Sequence, residues 1–196
     1  MHSSHYLLQS LVEYESRSHK LNIDFSEELP TLERLRQFLE TYDNCFDRDL
    51  AMGHVTGAAL ITDPSHTRVL LTHHRKLNRW LQLGGHCDGN PLTHETALRE
   101  GYEESGLKQL KFVTLPKVTN NTPAIFDIDI HTIPARENEA MHEHFDIRYL
   151  FVAPDPESYQ ISEESLDLRW FTLTEAFEVT SERSMHRQFE KLAALE

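Results

Sequence analysis

The chain has 196 residues, 39% hydrophobic and 26% charged, as in a globular protein of one domain with or without a short extension. The formal net charge of −13 argues against general nucleic-acid binding, because an acidic surface repels a phosphate backbone unless cations intervene. No apolar run approaches the roughly 20 residues of a membrane span, and the first ten residues make a poor signal peptide.

The charge and the cysteines also set expectations for partners and location. Because acidic residues outnumber basic ones by 32 to 19, metal ions are expected to mediate contact with an anionic small-molecule substrate. Cys45 and Cys87 are far apart in sequence and give no disulfide framework. The reducing cytoplasm is therefore the expected compartment.

Residues 1–45 are predicted to form a helical extension that precedes a domain of residues 46–196. Leu7, Leu8, Leu11 and Val12 fall on one face of a first helix. After a predicted linker at residues 22–30, Thr31 is a candidate cap for a second helix. Its apolar stripe comprises Leu32, Leu35, Phe38 and Leu39. These helices are expected to cover the core or a partner subunit, which leaves a homodimer open.

Apolar and alternating runs predict strands from about residue 54 onward. In chain order they cover residues 55–61, 69–71, 80–83, 125–131, 145–152 and 168–171. The third is expected to stop at Gly84-Gly85. Helices are predicted over residues 93–105, with Gly106 as a left-handed cap, and over residues 181–195. This order predicts an α/β fold in which helices enclose a mixed sheet.

The helix predicted over residues 93–105 carries Glu100, Glu103 and Glu104 within an arc of roughly 100°. Each like-charge pair destabilises an isolated helix by about 0.2–0.5 kcal/mol, and the helix dipole disfavours negative charge near the C-terminus. A solvated face is the ordinary interpretation of such a run. The preceding glycine pair, the closing glycine and Arg99 favour instead a helix that binds hard divalent cations through oxygen.

The segment from Gly85 to Leu107 resembles the Nudix box, G-x5-E-x7-R-E-U-x-E-E-x-G-U, in which U is apolar. Gly85 matches the first glycine, and the later pairs match at the family's spacing: Arg99-Glu100, Glu103-Glu104 and Gly106-Leu107. The resemblance extends more weakly over about residues 54–171. It implies a Nudix-like α/β/α sandwich.

Two positions depart from the box. Pro91 stands where the family has its first Glu, usually a supporting residue, and either Asp88 or Glu95 is a candidate to replace it. Gly101 stands where the family has an apolar residue. Because glycine costs about 1 kcal/mol of helix propensity against alanine, Gly101 suggests close packing against a strand. Neither departure removes a metal carboxylate.

The resemblance implies a pyrophosphohydrolase that cleaves the diphosphate linkage of a nucleoside diphosphate joined to another moiety. Mg²⁺ or Mn²⁺ on Glu100, Glu103 and Glu104 would neutralise phosphate oxygens and activate a water. The family adds the Gly85 carbonyl as a further ligand and Arg99 as a catalytic support. Glu104 is the first candidate to hold the metal nearest that water, and Glu103 is the second.

Candidates outside the box have ordinary alternatives. The family often uses one more Glu as base or ligand, and Glu163 or Glu164 precedes the last predicted strand in a loop suited to that role. A solvated loop is the ordinary interpretation there. Trp80 is a candidate to stack on a nucleotide base, although a tryptophan is more often part of the core.

The motif His142-x-His144-x-Asp146 places three polar side chains on one face of a strand. A pair of surface histidines is the ordinary interpretation. A patch that contacts the substrate is the favoured functional alternative for His142 and His144. With His131 or Asp129 the same residues also offer a set of zinc ligands, which is the less favoured alternative.

Two further functional classes stay open from the sequence. Pro91 and Gly101 motivate a Nudix-fold nucleotide-binding or regulatory module with weak or no catalysis. The apolar stripes of the N-terminal helices motivate a structural or interaction protein. The first predicts ligand binding without metal-dependent cleavage, and the second predicts a change of oligomeric state when residues 1–45 are deleted.

Overall fold

The computed structural model describes residues 3–21, 25–115, 123–136, 140–163 and 165–195. Their contacts divide the chain into two compact units. The first unit comprises the described parts of Met1–Gly57, Gly85–Thr96 and Thr114–Arg148. The second comprises those of Ala58–Gly84, Ala97–Val113 and Tyr149–Glu196. No helix among the described residues is long and apolar enough to cross a membrane.

The elements follow the predicted order closely. The helices are α1 (His5–Leu21), α2 (Leu29–Thr41), α3 (Thr93–Ser105), α4 (Leu173–Val179) and α5 (Arg183–Ala193). The strands are β1 (Gly53–Thr62), β2 (Arg68–His74), β3 (Arg79–Leu81), β4 (Leu83–His86), β5 (Lys111–Phe112), β6 (Asp127–Ile133), β7 (His142–Val152) and β8 (Ser165–Thr172). The bounds predicted for α3 are confirmed. The sequence did not predict α4, β5 or a 3₁₀ turn at Pro156–Ser158.

In the first unit, α2 buries its whole predicted stripe and α1 buries part of its own. Leu7 and Leu11 are buried in α1 and Leu8 is half-buried, whereas Val12 is 59% exposed and does not belong to the buried face. In α2 the whole stripe is buried, and the ring of Phe38 stacks on that of Phe145 in β7 at 3.8 Å. The helices therefore cover the sheet of this unit.

The start of α2 differs from the prediction. The helix begins at Leu29, inside the predicted linker, with Glu28 at the N-cap and Pro30 in the first turn. Thr31 therefore lies within the helix and does not cap it. Proline suits this position because its missing N–H would have no partner in the first turn anyway.

The strands of the first unit centre on β7. Strand β6 pairs with β7 in antiparallel register from Asp127 opposite Arg148 to Ile133 opposite His142. The start of β1 lies on the other side, where the Glu143 N–H donates to the Met52 carbonyl at 3.0 Å. Each residue of this part of β7 therefore has a fixed neighbour across the sheet.

In the second unit, β2 pairs antiparallel with β8, β3 and the end of β1. The end of β7 pairs antiparallel with β5, and the Ala153 N–H donates to the Thr62 carbonyl beside it at 2.9 Å. Met52 at the start of β1 bonds to Glu143 near the start of β7, and Thr62 at the end of β1 bonds to Ala153 just after β7. The two strands therefore run parallel. The predicted mixed sheet of an α/β fold is confirmed.

The predicted strand at residues 80–83 is two strands, β3 and β4. Gly84 and Gly85 lie within β4 and do not end the strand, so that prediction was wrong. Gly84 has a φ of 158°, a positive value that glycine adopts at little cost because it has no Cβ. At the other end of the second unit, β8 leads directly into α4 through a capping box between Thr172 and Glu175.

Candidate active site

The end of α3, in the second unit, brings together the arginine and two of the carboxylates predicted to act. Arg99 Nη1 lies 2.7 Å from Glu100 Oε1 and 3.2 Å from Glu103 Oε2. The Glu100 side chain is 13% exposed and the Glu103 side chain 60%. Glu104 is half-buried on the next position of the helix. Arg99 therefore contacts two carboxylates of the helix, and carboxylate oxygens are the donors that a hard divalent cation takes.

The same carboxylates keep Arg99 charged. Burial lowers the pKa of Arg99, but Glu100 and Glu103 outweigh it, and the net shift is upward. One nitrogen of the guanidinium, Nη1, contacts both carboxylates and so links Glu100 to Glu103. The supporting role of Arg99 in catalysis stays a prediction.

Gly101 has a packing reason. A Cβ at this position would lie 2.9 Å from Leu110 Cδ1 and 3.5 Å from the Ala59 Cβ in β1. The glycine thus lets α3 approach β1 closely, as the sequence suggested. This departure from the family pattern is accounted for by packing and does not point to lost catalysis.

The loop before α3, in the first unit, is organised without a Glu at position 91. The Asn90 Oδ1 accepts from the Leu92 N–H at 2.9 Å, and its amide donates to Glu95 Oε2 at 3.1 Å. Asp88 accepts from Arg48 Nε at 2.7 Å. Both candidates for the missing carboxylate therefore hold a loop contact. Their part in supporting Arg99 stays a prediction.

The predicted residues outside the box fall in different places. Glu164 lies outside the described residues, and the neighbouring Glu163 is exposed. Trp80 is half-buried in the second unit, stacked on His73 with ring centroids 4.9 Å apart, and Arg169 lies 5.2 Å above its ring. Arg79, Trp80, Thr180 and Glu182 are among the residues that line a cleft of about 180 Å³.

His142 and His144 belong to a histidine cluster in the first unit, which we define as His54, His86, His142 and His144. Ring centroids of neighbouring members lie 4.8–5.2 Å apart. His142 is 7% exposed, so the ordinary interpretation as a surface histidine was wrong for this residue. The cluster forms because Met52 and Glu143 are hydrogen-bonded neighbours, which sets His54 beside the two histidines that flank Glu143.

The sequence analysis missed His54 and His86 as cluster members. His54 opens a strand-like run and His86 lies inside the box, and neither position signals that β1 will pair with β7. Burial is the main cause that lowers the pKa of His54 to about 4, helped by His86 and His142. Burial likewise lowers the pKa of His144 to about 3, against the opposing charge of Asp146. Both imidazoles are therefore neutral at physiological pH.

Beside the histidine cluster, Arg148 lies among three carboxylates. Its guanidinium lies 3.1 Å from Asp127, 3.0 Å from Asp129 and 3.3 Å from Asp146. Burial raises the pKa of the Asp146 carboxyl, but His131 and Arg148 outweigh it and lower the pKa overall. Asp146 therefore contacts Arg148, and it also accepts from the Thr56 hydroxyl. Among the described residues, His54, and not Asp146, offers a ligand atom within 4.8 Å of those of His142 and His144.

Residues 52–192 match the family model of the NUDIX domain. A NUDIX-family hydrolase from Clostridium perfringens is similar over 73% of this chain and 98% of its own, at 24% identity and a TM-score of 0.55. An Ap4A hydrolase from C. elegans is similar over 71% and 95%, at 18% identity and a TM-score of 0.55. These likenesses show the fold.

A third solved structure has the same fold. The dihydroneopterin triphosphate pyrophosphohydrolase of E. coli is similar over 70% of this chain and 92% of its own, at 16% identity and a TM-score of 0.53. Among curated proteins, no match was found. The family match spans the acidic half of α3 and all eight strands.

Proposed function

Because the chain belongs to the Nudix family and is a pyrophosphohydrolase acting on acid anhydrides, we propose that it cleaves a nucleoside diphosphate linked to another moiety with the help of Mg²⁺ or Mn²⁺. The observation that carries this proposal is the contact of Arg99 with both Glu100 and Glu103. It holds a dense set of oxygen donors on one helix. An acidic chain needs such cations to accept a polyanionic substrate.

Glu100, Glu103 and Glu104 are the proposed metal ligands, and Gly85 is added through its carbonyl on the family motif alone. Their donor atoms are all oxygen, which Mg²⁺ and Mn²⁺ prefer. When bound, the cations supply charge neutralisation for the diphosphate and a more acidic water. Arg99 is proposed to keep the carboxylates in place, and its raised pKa means that it stays charged throughout.

The hydrolytic step requires a proton acceptor. A water oxygen forms a bond to one phosphorus while the bond from that phosphorus to the bridging oxygen breaks, and the electron pair stays on the departing phosphate. The proton of the water passes to a carboxylate, for which Glu164 or Glu163 outside the box is the candidate, on sequence position alone. Glu104, followed by Glu103, is proposed to hold the metal nearest that water.

Substrate contacts are proposed for Trp80, His142 and His144. Trp80 lines a cleft of about 180 Å³. Because its ring already contacts His73 and Arg169, its stacking on a nucleotide base is proposed from the sequence alone. His142 and His144 offer imidazole nitrogens 3.3 Å apart. We also propose a cytoplasmic location, because Cys45 and Cys87 are far apart in the sequence and Cys45 is a free, buried thiol.

The test is a panel of nucleoside-diphosphate compounds incubated with the full chain and Mg²⁺ or Mn²⁺, with release of the nucleoside monophosphate measured. We expect turnover of at least one compound, loss of turnover in chelator, and a fall of 100-fold or more in Glu103→Gln and Glu104→Gln. Glu178→Gln is the matched control, because Glu178 is an exposed carboxylate on α4 outside the motif. It should retain full activity.

Two outcomes contradict the proposal. The first is turnover that Glu103→Gln and Glu104→Gln leave unchanged. The second is tight nucleotide binding with no metal-dependent cleavage of any compound, which would favour the binding or regulatory module. We also propose a homodimer formed by α1 and α2. Molar mass measured with and without residues 1–45 gives the number of chains per particle. The same number of chains in both forms would contradict this dimer.

A further inference from the structure

Three members of the histidine cluster present nitrogen atoms to a common point. One ligand atom from each of His54, His142 and His144 lies within 4.8 Å of the others. The Nε2 atoms of His142 and His144 are 3.3 Å apart. A tetrahedral ion with nitrogen bonds of about 2.0–2.1 Å holds neighbouring donors about 3.3 Å apart. The His142–His144 edge of such a site is therefore already formed.

His54 gives an independent indication of a ligand. Its side chain is 2% exposed, and neither Nδ1 nor Nε2 has a hydrogen-bond partner. Buried polar atoms are almost always hydrogen-bonded, because losing water without a replacement partner is costly. An imidazole enclosed in this way beside two others is poised to donate a lone pair to a bound cation.

Hydrogen bonding orients a second donor, His142. The Ala140 carbonyl can only accept, so His142 Nδ1 carries the proton of their 2.9 Å hydrogen bond. The Nε2 of His142 then faces the Nε2 of His144 at 3.3 Å. Such a bond from the second nitrogen to a backbone carbonyl commonly orients a metal-binding histidine.

The charges around the cluster favour a cation. His131, whose ring centroid is 5.4 Å from that of His144, has its Nδ1 3.7 Å from Asp129 and 3.8 Å from Asp146. Asp127, Asp129 and Asp146 supply three negative charges, against the single positive charge of Arg148 that they contact. Arg48 carries a positive charge that opposes cation binding. It donates to His86 Nδ1 at 2.6 Å, so this nitrogen already accepts a hydrogen bond. We therefore leave His86 out of the proposed ligand set.

We propose that His54, His142 and His144 bind a divalent transition-metal ion of the zinc type, with the fourth position open to water or another small ligand. Three imidazoles suit zinc and its borderline neighbours, whereas Mg²⁺ and Mn²⁺ prefer the oxygens of α3. The proposal differs from the set suggested by the sequence, because His54 replaces Asp146, which contacts Arg148 and Thr56. It does not rest on the proposed hydrolytic activity.

Zinc binding by the full chain tests the site. After treatment with chelator, the protein is titrated with Zn²⁺ against a chromophoric chelator while excess Mg²⁺ occupies the carboxylates of α3. We expect one tightly bound Zn²⁺ per chain. Loss of a residue that only supports a ligand weakens metal binding by about 10–100-fold. His142→Gln and His144→Gln each remove a ligand, so each should weaken zinc binding by more than this. His5→Gln, an exposed histidine on α1, is the matched control and should bind as the wild type does.

The carboxylates and the fold are controlled separately. The double variant Glu103→Gln, Glu104→Gln should keep the same zinc affinity, and wild-type protein loaded with Co²⁺ should show the strong visible bands of a four-coordinate ion. X-ray absorption at the zinc edge of the wild type requires no variant and should show scattering from three imidazoles. Zinc lost only in the glutamate variant, or zinc surrounded by oxygen alone, would overturn the proposal. Absence of tight zinc binding would also overturn it.

Discussion

Arg148 Nη1 lies 3.1 Å from Asp127 Oδ2, and the two side chains are 4% and 0% exposed. The two residues face each other directly across the β6–β7 pair. Asp129 and Asp146 also contact the same guanidinium. Replacing both partners of a buried ion pair by apolar residues often leaves the stability unchanged. Removing one partner lowers the free energy of unfolding, because the other charge stays buried without compensation.

Arg148→Met should therefore lower the free energy of unfolding by about 3–5 kcal/mol at neutral pH. The reason is that the substitution leaves buried carboxylates without their cation. Urea unfolding followed by circular dichroism measures the change. Arg183→Met is the control, because the pair of Arg183 with Glu190 is exposed and such pairs contribute about 0–1 kcal/mol. Equal losses in the two variants would contradict this account of Arg148.

Asp63 should make stability depend on pH in the acid range. It is buried at the turn before β2, and burial raises its pKa, but bonds from Ser65, the Arg68 backbone and side chain, and Thr67 outweigh this and lower the pKa. Because the folded pKa lies below the ordinary value near 4, the stabilisation is complete above that value. It is lost as the pH falls through the folded pKa.

We accordingly expect Asp63→Ala to cost about 1–3 kcal/mol of unfolding free energy at pH 7, since it leaves turn donors without an acceptor. The difference from wild type should shrink as the pH is lowered from 5 towards 2. Asp155→Ala, at the second unit's 3₁₀ turn where Asp155 is exposed, should show no such trend. A pH-independent difference for Asp63→Ala would rule out the charged hydrogen bonds as its cause.

Gly53 and Gly101 should respond differently to alanine. At Gly53, with a φ of 150°, a Cβ would lie 2.3 Å from the Glu143 carbonyl oxygen, which is backbone and cannot move without breaking the β1–β7 contact. Gly53→Ala should cost about 1–3 kcal/mol or more. At Gly101 the nearest atom is the end of the Leu110 side chain, which can rotate away.

Gly101→Ala should thus change stability by less than about 1 kcal/mol, because the gain in helix propensity offsets the repacking of Leu110. The two melting temperatures, measured side by side, test the pair. A larger loss for Gly101→Ala than for Gly53→Ala would show that the approach of α3 to β1 is the stricter constraint.

Arg99→Gln should lower kcat/KM by about 10–100-fold, the usual effect of losing a group that orients metal ligands. It should also raise the Mg²⁺ concentration needed for half-maximal activity, because Glu100 and Glu103 lose the cation that holds them together. Arg183→Gln, on α5, is the control. This prediction rests on the proposed function, and a fall in activity without any change in metal requirement would assign Arg99 a different role.

The sequence alone determined the features that depend on local spacing. Helix α3 was predicted over its whole length because its apolar positions, its acidic face and the glycine that ends it all lie within one short segment. The placing of Glu100, Glu103 and Glu104 on one face follows from helix geometry alone. The same local signals were too weak to predict the short α4 or to separate β3 from β4.

Tertiary structure decided the features that depend on which strands become neighbours. His54 joins His142 and His144 because β1 pairs in parallel with β7, and parallel pairing leaves no turn signal in the sequence. Arg148 and Asp127 were not predicted as a buried pair because alternation assigns faces within one strand, whereas β7 is covered on both faces. The carboxylates of α3 are thus a property of one helix, and the histidine cluster is a property of the assembled sheet.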